Sequence, residues 1–107
     1  MSGYTRLNPK AEWKTAASGK VRYLVYGRIA VISVYWQEFT FNGNWQDVAQ
    51  LDGVIPIEPN YAYYTGTCVT GQDENLWLVV SSTGMLRVRN SGATGTGILA
   101  TCVVALA

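Results

Sequence analysis

The 107 residues suffice for one domain, and 49% of them are hydrophobic while only 14% are charged, well below the ~25% charge of an average globular chain. So few charges leave part of a small monomer's surface apolar, which calls for a partner, most simply a second copy of the same chain. The net charge of +1 is spread without runs of like sign, which argues against nucleic acid and against an anionic membrane surface as partners.

In chain order, residues 1–19 are mixed and polar apart from Trp13, and the run AEWKTA (11–16) reads as a short edge strand. Met1 to Tyr4 lack the basic and apolar regions of a signal peptide. Lys20 to Arg28 alternates, with Val21, Tyr23 and Val25 on one face and Arg22, Leu24 and Tyr26 on the other, the period-two mark of a strand. Tyr23 and Tyr26 therefore cannot both face the core. Gly27-Arg28 reads as a tight turn into a second, β-branched and aromatic strand, Ile29 to Phe39. Asn42-Gly43-Asn44 is turn chemistry, and Trp45 to Leu51 is expected as one helical turn or an irregular loop. Pro56 and Pro59 make Gly53 to Asn60 an extended loop.

Strands are then expected at Tyr61 to Thr70, Leu76 to Ser81, Met85 to Arg89 and Ile98 to Leu106, joined by a polar turn at 72–75, the turn Ser82-Thr83-Gly84 and a Gly/Ser/Thr loop over 90–97. The last strand is apolar on both faces, so it is central in a sheet or packed at a subunit interface. It is too short for the ~18 residues of a membrane helix, and no membrane insertion is expected. About seven strands at short spacing give an all-β chain, a small antiparallel β-barrel or sandwich. The expected organisation is an N-terminal segment over 1–19 and a β-barrel domain over 20–107.

The chain has no histidine, which removes serine–histidine and cysteine–histidine nucleophile systems. Two cysteines without histidine build no usual zinc site, and Cys68 and Cys102, both in strand-like surroundings, read as buried thiols ahead of a disulfide between neighbouring strands. Gly92, Gly95 and Gly97 form G-x-x-G-x-G with no following helix, so they read as a loop between strands and not as a phosphate cradle. A carboxylate pair drawn from Glu12, Glu38, Asp47, Asp52, Glu58, Asp73 and Glu74 is the remaining route to hydrolysis, but most of these acids adjoin turns, where a solvated loop residue is the simpler reading. The expectation is a binding protein without catalytic residues, metal or cofactor.

Four Trp, seven Tyr and two Phe are the most informative residues. Trp77, between Leu76 and Leu78, reads as core. Trp36 and Glu38 end a strand, Asn42, Asn44, Trp45 and Asp47 share an amide- and acid-rich loop, and Tyr61, Tyr63 and Tyr64 follow the proline loop. Flat rings cover the C–H face of a pyranose, and adjacent amides and carboxylates bond its hydroxyls, so these residues form a candidate saccharide site. Trp45 serves equally well as a plug at one end of a barrel, and subunit packing is the other common role for the tyrosines.

The order VRYLVYGRIAVISV (21–34), LDGVIPIEPNYAYYTGTCV (51–69), LVVSSTGMLRV (78–88) and a short C-terminal strand resembles the head domains of phage tail receptor-binding proteins, in particular those of phages infecting lactic-acid bacteria and related Gram-positive hosts. The likeness spans roughly residues 20–106 in soft motifs: a Tyr–Gly–apolar hairpin, a proline loop before an aromatic strand, and G-x-L-x-V after a Ser/Thr/Gly turn. It implies a β-barrel head that forms a homotrimer, meets other tail or baseplate proteins in the virion, and binds host cell-wall saccharide in clefts between subunits. It carries no individual binding residue over to this chain. The helical or collagen-like stalk usual in such proteins is missing, which fits an excised head or a shorter accessory tail protein.

Overall fold

Alternation of apolar residues dictates the architecture. A computed structural model describes residues 12–60, 63–71 and 75–107. Eight strands follow in chain order: β1 Lys14–Ala16, β2 Val21–Tyr26, β3 Ile29–Trp36, β4 Gln46–Gln50, β5 Tyr64–Thr67, β6 Asn75–Val80, β7 Met85–Arg89 and β8 Ile98–Ala105. They form one antiparallel sheet in the order β1-β2-β3-β8-β5-β6-β7-β4, curled into a nearly closed barrel. The expected all-β class is therefore what the chain adopts. A single 3₁₀ turn, Ala17–Gly19, is the only helical element among the described residues.

β2 and β3 form a hairpin through Gly27-Arg28, with Gly27 at φ +59°, a conformation that β-carbon sterics penalise for other residues. β3 then pairs with β8 over eight residues, from Ile29 opposite Ala105 to Trp36 opposite Ile98. β5 to β7 and β4 make the other half of the barrel. The two halves meet at a narrow seam where Thr67 pairs with Leu99. Gly66 makes this approach feasible, since a β-carbon there would lie 2.7 Å from Ala100 Cβ and 2.9 Å from the Leu99 carbonyl.

One parity of each strand fills the interior, including Val21 and Tyr23 of β2, Ile32 of β3, Leu76 and Leu78 of β6, Leu86 and Val88 of β7, and Ile98 and Val104 of β8. Tyr23 is buried and Tyr26 is exposed, as alternation requires. The Tyr23 hydroxyl accepts from the Asp52 N–H at 3.0 Å, which satisfies the polar end of a buried ring. The proline loop is extended and closes one end: Ile57 N–H donates to the Ala105 carbonyl at 3.0 Å, and Ala107 N–H donates to Ile55 at 2.9 Å.

Some local expectations change. Residues 46–50 are a strand, neither helical turn nor irregular loop, because cross-strand pairing with β7 overrides their polar composition. A bulge between Asp47 and Ala49 buries Val48 and Ala49 side by side and so hides the period. The strand expected at Tyr61 to Thr70 is shortened to β5, and Tyr61 lies outside the described residues, as do residues 72–74 of the polar turn. The 90–97 loop is tied down. Thr96 and Thr70 exchange backbone bonds and their hydroxyls touch, and Gly97 N–H donates to the Phe39 carbonyl at 2.7 Å. Cys102 is a buried thiol, and Cys68 is a half-buried one that reaches the Thr94 carbonyl at 3.6 Å.

Candidate ligand-binding site

Leu76 and Leu78 are fully buried, so the residue between them must point outward, and Trp77 is 44% exposed. Its expected place in the core is thus corrected. On the outer face Trp77 stands opposite Arg89 of β7, and in the next row Val79 stands opposite Arg87, which in turn faces Asp47 of β4. Two further rings join from the strand approaches. Trp45 precedes β4, and Tyr63, 57% exposed, precedes β5.

The three rings form a stepped shelf. Trp45 and Tyr63 have centroids 6.0 Å apart at 35°, and Tyr63 and Trp77 are 5.7 Å apart at 65°. Together with Arg89 and Ser91 they line a cleft of about 270 Å³. Trp45 and Tyr63 also wall a smaller hollow of about 130 Å³ with Asn60, Val79 and Arg87.

The loop before β4 is locked by its own side chains. Asn44 N–H donates to Asn42 Oδ1 at 2.9 Å, Asn42 N–H to Gln46 Oε1 at 3.0 Å, and Gln46 Nε2 to the Thr40 carbonyl at 3.1 Å. This holds the Gly43 carbonyl where Arg89 Nε reaches it at 3.3 Å. Arg87 is paired with Asp47 at 3.0 Å. No carboxylate among the described residues pairs with Arg89, so a positive guanidinium with spare donors forms one wall of the cleft.

Trp45, Tyr63 and Asp47 thus come together on one face. Asn42 and Asn44 sit in the adjoining loop and brace it. Trp36 lies elsewhere, packed edge-on against Phe39 at 5.1 Å with Lys20 Nζ 5.3 Å from its ring centre. Glu38 is exposed in the turn after β3. Tyr64 turns half-buried toward the core, and burial, then the nearby Cys102, raise its hydroxyl pKa above the ordinary value. Trp77, Arg89 and Ser91 line the cleft without being among the saccharide candidates that the sequence suggests. Parity alone places Trp77 outward, whereas Arg89 enters only through pairing between distant strands.

No protein-family model, curated protein or solved structure matches this chain.

Proposed function

We propose that this domain binds a saccharide on the Trp45–Tyr63–Trp77 shelf, as the head of a phage tail protein that attaches to a host cell surface. The observation that carries the reading is the convergence of three outward rings on one cleft beside Arg89 and Ser91. Stacked rings take the C–H face of a pyranose, and the guanidinium and hydroxyl bond its oxygens. A cleft of about 270 Å³ lies just under the ~300–1,000 Å³ of sites for drug-sized ligands, which suits one sugar residue of a polymer and not a long enclosed chain. Such a contact is weak alone, and several copies acting together raise it by avidity.

The setting, a tail tip or baseplate, comes from the resemblance of the strand order. The test is a glycan array of neutral hexoses, N-acetylhexosamines, rhamnose and polyol phosphates probed with the intact chain. Binding to a defined sugar that Trp45→Ala and Trp77→Ala abolish supports the reading, and binding that survives both substitutions sinks it.

A second reading, a homotrimeric capping or trimerisation module without ligand, is favoured by the apolar outer face of β3 and β8. It is the one that survives if no glycan binds and the three-copy assembly is stable.

A further inference from the structure

We infer that the outer face of β2, β3 and β8 is where a second copy of this chain docks. This inference is independent of the saccharide reading. Ten large hydrophobic residues are exposed among the described residues, and all but Trp13 fall into two groups. Tyr63 and Trp77 belong to the shelf. Tyr26, Ile29, Tyr35, Leu99 and Val103, each between 41% and 57% exposed, share the outward parity of three adjacent strands.

The registers make the face continuous. Ile29 lies between Tyr26 and Ala105, Val31 between Leu24 and Val103, and Tyr35 opposite Leu99. The proline loop extends it. Pro56 and Leu106 point inward, so Ile55 and Ile57, which hydrogen-bond to Ala107 and Ala105, lie on the outward side. Both carry large exposed side chains.

β3 and β8 are thus apolar on both faces, the pattern of strands covered twice, yet the described residues cover them only on the inner face. At half exposure, seven large side chains present roughly 600 Å² of apolar surface, at the top of the ~300–600 Å² range for the largest patch on a monomer and close to the ~800 Å² per partner of a stable interface. Arg22 is the only charge on the outward rows of these three strands, so the occupant must itself present a large surface nearly free of charge. A chain with only 14% charged residues supplies such a surface, namely this same face. Association through the sheet edges is disfavoured, because β1 has three residues and β4 is bulged. The face is carried by β2, β3 and β8, and the aromatic shelf by β6, β7 and the approaches to β4 and β5.

The test is the solution mass of the intact chain by light scattering over a range of concentrations. The wild type is expected at a multiple of 11.7 kDa, twice that mass where this face covers itself. The pair Leu99→Lys and Val103→Lys is expected to give 11.7 kDa with an unchanged far-UV circular dichroism spectrum. Should the lysine pair fail to fold, Leu99→Thr with Val103→Thr keeps strand-compatible side chains and is expected to weaken association at least tenfold. A wild type that remains a monomer at every concentration overturns the inference, including the case in which another protein covers the face. A multimer whose mass ignores both pairs of substitutions also overturns it.

Discussion

Trp77 on β6 and Arg89 on β7 are direct register partners on the outer surface of the barrel. A ring and a guanidinium side by side give one cleft both an apolar platform and a fixed set of donors. Because Trp77 is exposed, replacing it removes little core packing. Trp77→Ala is expected to weaken ligand binding at least tenfold, about 1.4 kcal/mol, while changing stability by less than ~1 kcal/mol. A ligand titration paired with urea unfolding checks both.

The Arg87–Asp47 pair sits beside the cleft on the surface, and its contribution to folding is small. Asp47→Asn is expected to cost about 0–1 kcal/mol, shrinking further in high salt. Urea midpoints at low and high salt measure this. A larger loss would mean that the pair organises β4 as well as decorating it.

Gly66 sits where the two halves of the barrel join through Thr67 and Leu99. A methyl group at Gly66 would press on Ala100 and on the Leu99 carbonyl, and strand backbone gives way poorly. Gly66→Ala is expected to destabilise by about 1–3 kcal/mol, whereas the same change at an open surface position would be nearly neutral. Chemical unfolding of the single variant decides it.

How much of this was legible in the sequence depends on how local the signal is. The β2–β3 hairpin shows itself through Gly27 and clean alternation, and β8 shows itself through its doubly apolar run. β4 does not, because its bulge sets Val48 and Ala49 side by side and its polar residues are matched by partners some forty positions away, such as Arg87 for Asp47. Composition makes Trp77 look like core because leucines flank it, but the burial of both leucines states its parity. In a strand two buried neighbours place the middle residue on the opposite face. The Asn42–Asp47 loop reads as polar from composition, but its side-chain amides bind the neighbouring backbone, which composition cannot reveal.

Cys102 is buried between β3 and β5, and burial pushes its thiol from 9.0 up to about 11. The protonated form is favoured in the fold, so the unfolded chain loses this proton first as pH rises. Stability from this group is intact below pH ~9 and falls by up to ~1.4 kcal/mol per pH unit between pH ~9 and ~11. At pH 8 the native thiol is expected to react with a maleimide more slowly than the unfolded chain, through its burial and its raised pKa together. Labelling followed by peptide mass mapping separates Cys102 from Cys68.

The measurement that bears most directly on the central claim is a ¹H–¹⁵N titration of the intact chain with glucose, galactose, N-acetylglucosamine, N-acetylgalactosamine and rhamnose, following the tryptophan indole N–H signals. Saturable shifts at Trp45 and Trp77, with Trp36 unmoved, are the result the shelf calls for. Indole signals at Trp45 and Trp77 that stay fixed with every sugar, or shifts confined to Trp36, would contradict it.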